Sequence, residues 1–279
     1  TTGIVSSVTN KGETISYTYD NRCNITAISE GGVQKARYAY DELNQLIRED
    51  NAYLNKSVTY TYDAGGNLTA KKEYAYTTGT LGAVTKTTAY TYGDASWKDK
   101  LTAYDGKAIT YDQIGNPLTY GGNAFAWTGR QLDSISGNGN IIAYKYNANG
   151  IRTEKTVNGV STKYFIEGDR IVLEKAGNEE RAFWYDGDGN AAAFVIYDAA
   201  GMRPYYYFRN GQNDVIGLFD GNGNIVARYS YDSWGNLLNI TDGFGNDKTN
   251  DTTFVGYKNP LRYRGYYYDS ETKLYYLQS

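Results

Sequence analysis

The sequence predicts an all-β protein made of tandem hairpins, and three observations carry that prediction. Tyrosine supplies 31 of the 279 residues and glycine 32, against 3 prolines, 1 cysteine, 1 methionine and no histidine. A short tyrosine–aspartate motif recurs along the chain. Capped amphipathic stretches long enough for a helix of three turns are missing. Tyrosine favours strands because its ring packs on a sheet face while its hydroxyl reaches water or a polar partner, and glycine supplies the positive φ of tight turns.

The repeated element reads aromatic, any residue, Tyr, Asp, three residues usually ending in Gly, then Asn and an aliphatic residue. Full copies run from Tyr17 to Ile25 (YTYDNRCNI), Tyr38 to Leu46 (YAYDELNQL), Tyr60 to Leu68 (YTYDAGGNL), Ile109 to Leu118 (ITYDQIGNPL), Tyr144 to Ile151 (YKYNANGI) and Tyr229 to Leu237 (YSYDSWGNL). Looser copies lie at Tyr197 to Met202, Phe219 to Ile225 and Tyr266 to Leu274. The steps from Tyr19 to Tyr40 to Tyr62 are 21 and 22 residues, the length of one hairpin.

Each residue type has a physical task. Tyrosines two apart, as in Tyr17 and Tyr19, Tyr38 and Tyr40, Tyr60 and Tyr62, or Tyr229 and Tyr231, share a strand face and build a cross-strand ladder, as Tyr111 does in the Ile109 copy. The following Asp20, Asp41, Asp63, Asp112 or Asp232 accepts backbone N–H groups of the turn. Gly66, Gly115, Gly150, Gly223 and Gly235 occupy a left-handed slot that costs other residues about 1–2 kcal/mol. Asn67, Asn116 and Asn236 follow that slot. Asn44, the next-best residue for left-handed geometry, fills it in the second copy, and Cys23 falls there in the first, so either that turn is altered or the alignment is off by one.

Between copies, Gly31-Gly32, Gly121-Gly122-Asn123, Gly137 to Asn140, Asn158-Gly159, Gly177-Asn178 and Asp242-Gly243 read as compact turns. A short helical turn is expected around Asn259 to Leu261. The low-complexity stretch Thr77 to Thr88 is expected to be a longer, mobile hairpin tip. No linker interrupts the pattern, so residues 1–279 are expected to form a single array, cut from a longer protein at both ends.

Several functional classes find no support in these residues. The formal charge of −3, with basic residues scattered singly, offers no footprint for a nucleic-acid backbone. No run of about 18 apolar residues is present to insert into a membrane as a helix. Without histidine, imidazole acid–base chemistry, His-containing triads and His-ligated zinc are out of reach within these residues. Cys23 reads as an incidental replacement in a turn.

Asp186-Gly187-Asp188-Gly189-Asn190 and Asp220-Gly221-Asn222-Gly223-Asn224 alternate oxygen side chains like a calcium loop. They lack its glycine at the sixth position and glutamate at the twelfth, so hairpin turns explain them better. Glu49-Asp50 and Glu179-Glu180 are sequence neighbours that point to opposite strand faces, unsuited to a pair of carboxyls facing across a cleft, and read as solvated hairpin ends. No glycine cluster has the form of a nucleotide-binding loop. No catalytic, cofactor-binding or metal-ligating residue is therefore expected, and no cofactor.

Two segments give the pattern a family resemblance. Tyr90 to Tyr120 (YTYGDASWKDKLTAYDGKAITYDQIGNPLTY), followed by Phe125-Ala126-Trp127 and Gly129-Arg130-Gln131-Leu132, resembles the core of bacterial Rhs (YD-repeat) proteins. So does Tyr207 to Ser279, and the resemblance covers essentially the whole chain. The YD repeats of polymorphic toxins, wall-associated proteins and teneurins form a continuous antiparallel sheet that curls into a spiral shell, of which these residues would make an arc or partial turn.

The resemblance implies a structural shell segment of a secreted or cell-surface bacterial protein, extracellular in location. Its partner would be the C-terminal toxin or effector domain of the parent polypeptide, which it encapsulates or presents. Exposed sheet edges would permit self-association. The alternative is an extracellular adhesion or carbohydrate-binding module that takes a glycan or cell-surface ligand. The family pattern normally continues beyond Leu277-Gln278-Ser279 into an aspartyl self-cleavage stretch absent from this sequence, so neither self-cleavage nor a toxin identity carries over.

Overall fold

A computed structural model describes residues 3–277. The chain forms two compact units, residues 1–122 and 123–279. In the first, β1 (Ser7–Asn10), β2 (Glu13–Tyr19), β3 (Ile25–Glu30), β4 (Val33–Tyr40), β5 (Leu46–Asn51), β6 (Lys56–Tyr62), β7 (Leu68–Ala75), β8 (Val84–Thr91), β9 (Ala103–Tyr104) and β10 (Lys107–Ala108) make a 10-stranded sheet in sequence order. The two-residue β11 (Thr119–Tyr120) follows.

The second unit contains β12 (Asn123–Thr128), β13 (Gln131–Gly137), β14 (Asn140–Tyr146), β15 (Arg152–Val157), β16 (Val160–Glu167), β17 (Arg170–Ala176), β18 (Glu179–Tyr185), β19 (Ala191–Asp198), β20 (Gly201–Arg209), β21 (Val215–Asp220), β22 (Ile225–Tyr231) and β23 (Leu237–Asp242). Each is antiparallel to the next. A C-terminal segment then carries the one-turn helix α1 (Val255–Lys258), a 3-10 turn (Tyr263–Gly265), and the small hairpin β24 (Tyr267–Asp269) and β25 (Leu274–Tyr276).

Strict sequential pairing follows from the connections. At one end of the strands sit two-residue turns such as Gly31-Gly32 (φ 55° and 80°), Asn138-Gly139 (49° and 82°) and Asn158-Gly159 (49° and 86°). Positive φ at both central residues is the geometry whose twist matches paired strands. At the other end sits a five-residue turn closed by aspartate. Asp63 donates its N–H to Asn67 O (2.9 Å) and its carbonyl accepts Gly66 N–H (3.1 Å). Its Oδ1 accepts the N–H groups of Gly65 and Asn67 (2.9 Å each), and its Oδ2 accepts the Asn67 side-chain amide (3.0 Å).

The same backbone closure recurs at Asp20, Asp41, Asp112, Asn147, Asp186, Asn210, Asp220, Asp232 and Asp242. Cys23 takes φ 67° with its N–H on Asp20 O at 3.1 Å, so the first turn keeps the common geometry and the alignment stands. Asp242-Gly243 is another five-residue turn rather than a compact one, with Gly245 at φ 89°. The Tyr197 copy departs the other way: Asp198 pairs directly with Gly201 across a tight turn.

A β-bulge adjoins these turns. Tyr19 pairs with Ile25 but Thr18 pairs with Ala27, and the same shift occurs at Tyr40, Tyr62, Tyr146, Tyr185 and Tyr231. One extra residue after the turn, such as Thr26 or Thr69, bends the strand and increases its twist.

Three expectations change. Asn259 to Leu261 is not helical: α1 ends at Lys258, and Asn259 is extended with φ −67° and ψ 119°. The expected longer hairpin tip is there but shorter than Thr77 to Thr88: it runs over 76–83, because β8 begins at Val84, and its first residues are held, with Arg48 donating to Thr77 O (3.2 Å) and Gly79 O (2.8 Å) and Ser57 donating to Thr77 O (2.8 Å). Glu49 and Asp50 are not solvated ends; they are 1% and 4% exposed. Glu49 accepts Tyr60 OH (3.0 Å) and the Asn51 amide (2.8 Å), while Asp50 pairs with Arg48 (2.8 Å).

Candidate functional site: the tyrosine lock and the strapped sheet face

The motif tyrosines divide their labour. The first of each pair packs: Tyr17, Tyr60, Tyr144 and Tyr229 are buried, whereas Tyr38 is half-buried. The second, immediately before the turn, reaches back one repeat. Tyr40 OH donates to Ile25 O (2.9 Å), Tyr62 OH to Leu46 O (2.8 Å) and Tyr92 OH to Leu68 O (3.2 Å). In the second unit Tyr146 reaches Leu132 O (2.9 Å), Tyr185 reaches Ile171 O (2.9 Å) and Tyr231 reaches Val215 O (2.7 Å). Tyr19 and Tyr111 do the same to Val5 O and Leu101 O, at 2.6 Å each.

For Tyr40, Tyr62, Tyr92 and Tyr231 the acceptor is the first residue after the preceding turn, so each hydroxyl locks a repeat to its predecessor. Burial pushes the phenols of Tyr146 and Tyr185 up to about 12, so these hydroxyls remain donors at neutral pH.

Neighbouring turns also touch. The Asn24 amide donates to Asn44 Oδ1 (2.9 Å), and Asn67 to Asp99 Oδ1 (3.1 Å). Asp112 holds Asn116 through Oδ1 and Oδ2 (2.8 Å each), and Asp232 holds Asn236 through Oδ1 (3.0 Å) and Oδ2 (2.8 Å). Gly115 (φ 89°) and Gly235 (φ 84°) have a second reason to be glycine: a Cβ there would lie 2.7 Å from the Trp97 ring and 2.4 Å from the Tyr263 ring.

The loops that resemble calcium sites spend their oxygens on these turns. Asp186 Oδ1 accepts Asp188 and Asn190 N–H, and Oδ2 accepts Arg209 (2.9 Å). Asp220 binds Asn222 and Asn224 in the same way.

In the second unit the C-terminal segment straps across one face of the sheet. Tyr164, Ile171, Phe183, Phe194, Tyr207, Leu218, Tyr229 and Ile240, one from each of β16 to β23, form its core with Leu261 and Tyr267 of the segment. Gly256 lets α1 approach, since a Cβ there would meet Phe254, Ile240 and Ala227 within 2.9 Å. Asn259 is the polar pin: Oδ1 accepts Tyr207 OH (3.0 Å), while Nδ2 donates to Tyr229 OH (3.1 Å) and Leu261 O (2.7 Å). Arg262, 1% exposed, donates to Asn259 O and Tyr257 O and lies 4.5 Å from the Tyr268 ring centroid.

A buried charge cluster completes the strap. Asp269 accepts Arg152 at 2.6 and 3.2 Å and Lys155 at 2.8 Å, and Lys155 also reaches Glu271 at 3.0 Å. Burial alone would drive the Asp269 carboxyl up, but the two cations outweigh it and hold it below the usual carboxylate range. Next to it Tyr267 OH donates to Glu174 (2.5 Å), which pairs with Arg181 (2.5 Å); Arg181 also pairs with Glu179 at 3.0 Å. Sequence reasoning placed Tyr267, Asp269 and Glu271 in a looser repeat copy and Glu179 at a hairpin end, and gave none of them these partners. Their partners lie 93 to 117 positions apart for Tyr267–Glu174 and Asp269–Arg152, beyond the reach of local spacing.

Comparison with known proteins matches this geometry. Residues 40–80 match the RHS Repeat family. Over 250 residues the chain is 33% identical to the tRNA3(Ser)-specific nuclease WapA of Bacillus spizizenii, covering 86% of this chain and 10% of that protein. It is 32% identical over 254 residues to the tRNA nuclease WapA of Bacillus subtilis, with the same coverage.

This chain is a Rhs-repeat protein.

Among solved structures, the crystal structure of TcdB2-TccC3 aligns with a TM-score of 0.67 at 18% identity, covering 95% of this chain and 15% of that one. The Photorhabdus luminescens Tc holotoxin pore aligns with a TM-score of 0.69 at 17% identity. At such identities the likeness is one of fold. The Rhs chain described here spans 10% of the length of the curated relatives it matches.

Proposed function

We propose that this Rhs chain is a wall segment of a larger extracellular or cell-surface bacterial protein, and that the wall encloses or presents a C-terminal toxin or effector domain of the same polypeptide. The observation that carries the proposal is the repeat lock. Among the described residues each long-sheet strand pairs with its sequence neighbours, and tyrosine hydroxyls tie successive repeats together at the bulged ends. Such a lattice extends by adding hairpins and gives a stiff sheet, which is what a container wall requires. The nuclease activity in the names of the WapA relatives is assigned here to other parts of those proteins. This chain supplies no histidine and carries a formal charge of −3, a poor match to a phosphate backbone.

Negative-stain electron microscopy with light scattering on the purified chain tests the reading. Curved sheets, shells or edge-paired assemblies are expected from a wall segment with unpaired strand edges. Compact, monodisperse monomers with no curved sheet would overturn it.

A further inference from the structure

A cavity of about 260 Å³ lies in the second unit. It opens beside the β16–β17 turn, and Arg170, Tyr185, Gly189, Tyr266, Tyr267 and Tyr276 contribute to its lining. The Arg170 guanidinium lies 5.4 Å from the Tyr185 ring centroid. It fills the space that a side chain at residue 189 would need, with Nη2 only 2.0 Å from where a Cβ would stand. Gly189 therefore serves the turn, at φ 82°, and the arginine together.

The cavity also presents unused donors. The nearest carboxylate to Arg170 among the described residues is Asp169, at 4.0 Å and itself 76% exposed, beyond hydrogen-bonding distance. No described residue accepts a hydrogen bond from the guanidinium. The Tyr276 hydroxyl accepts the Arg152 N–H (2.9 Å) and retains its own proton for another partner. The Tyr266 hydroxyl makes no hydrogen bond to a described residue, and the residue is 44% exposed.

A free guanidinium fork selects a carboxylate in bidentate geometry. Aromatic faces with spare hydroxyls suit a polyhydroxylated ring, whose C–H face packs on tyrosine while its hydroxyls take the remaining hydrogen bonds. Pockets for drug-sized molecules run to about 300–1,000 Å³, so this volume fits a single ring rather than an extended chain. We propose that the cavity binds a carboxylated sugar unit, a hexuronate, with its carboxylate on Arg170 and its ring against the tyrosines. This binding is independent of the wall reading, and either can fail without the other.

Titrating glucuronate, glucose and inorganic phosphate into the intact chain, followed by saturation-transfer NMR, tests the proposal. Glucuronate should saturate with a Kd on the order of 1 mM, and glucose and phosphate should bind at least about tenfold more weakly. Arg170→Gln should weaken glucuronate about tenfold with an unchanged melting temperature, and Arg170→Lys should fall between. Tyr266→Ala, at an exposed ring, decides the matter if the arginine variants do not fold. Equal binding of glucose would show that the carboxylate is not read, and equal binding of phosphate would reduce the site to a general anion site; either result overturns the proposal. So does glucuronate binding that fails to saturate or ignores both substitutions.

Discussion

Replacing Asp269 by alanine probes the strap at its most buried charge. The substitution removes the carboxylate that accepts Arg152 at 2.6 and 3.2 Å and Lys155 at 2.8 Å. It leaves Arg152, 2% exposed, and Lys155, 5% exposed, with tyrosine rings around the guanidinium and Glu271, 3.0 Å from Lys155, as the one carboxylate among the described residues left within ion-pairing distance. Removing one partner of a buried pair costs about 3–5 kcal/mol, because the remaining charge is neither solvated nor paired. For a unit of this size that corresponds to a fall in melting temperature of about 6–20 °C. Urea unfolding followed by far-UV circular dichroism and tryptophan fluorescence reads the change. Glu271→Ala serves as the control, because Glu271 is 26% exposed and its removal should cost under about 1 kcal/mol. An Asp269→Ala cost as small as that of the control would refute the reasoning that the strap is held by buried charge.

Four further outcomes follow from the turns. Gly115→Val forces a β-branched residue to φ 89° against the Trp97 ring and should cost at least about 1–2 kcal/mol, read as a lowered urea midpoint. Cys23→Gly relieves the exposed left-handed position at φ 67° and should raise stability by up to about 1 kcal/mol in the same assay. Asp220→Asn keeps the Oδ1 acceptor of the turn but loses the Oδ2 acceptor of the Asn224 amide, so it should lower the melting temperature less than Asp220→Ala, which removes both.

The fourth concerns pH. Asn24 and Asn67 side-chain amides, followed by backbone N–H donors, hold Asp20 and Asp63 below the ordinary carboxylate range, and the Asn224 N–H does so for Asp220. Folded values below unfolded ones mean a contribution that is full above about pH 4 and is lost as pH falls through the folded values. Asp214, raised by burial, acts in the opposite sense. Thermal melts should therefore change little between about pH 5 and 8, where no histidine titrates, and drop below about pH 4.

The hairpin repeat was legible because its causes are local. Asp63, Gly66 and Asn67 sit within five residues and close one turn by themselves, so spacing reveals them. The tyrosine pairs were legible as a ladder, but not in their division of labour: Tyr60 packs and Tyr62 reaches a carbonyl 16 residues back, which depends on a bulge that no residue type marks. The Asn210 turn was missed because its polar pair is exchanged. Asn210 donates to Asp214 Oδ2 at 2.7 Å where other copies have the aspartate first.

The strap lay beyond local reading for a different reason. Nothing near Asp269 in the sequence announces Arg152, and Glu49 and Asp50 looked like solvent-facing charges because their cover comes from elsewhere: Tyr60 on the next strand and Arg48, itself held by the loop at Thr77 and Gly79. Buried charge is satisfied by tertiary partners, and one sequence carries no record of those distances. Helix placement failed by only a few residues: Asn259 looks like a turn former, but its side chain is committed to Tyr207 and Tyr229, and the helical turn falls just before it.

The central claim is that these repeats wall off a domain of the same polypeptide. Limited proteolysis of the full-length polypeptide tests it most directly, with cleavage of the C-terminal domain timed in the unaltered protein and in a variant carrying Gly115→Val with Asp269→Ala. The account predicts a C-terminal domain protected in the former and cut at least about tenfold faster in the latter. Equal, rapid cleavage in both would contradict it.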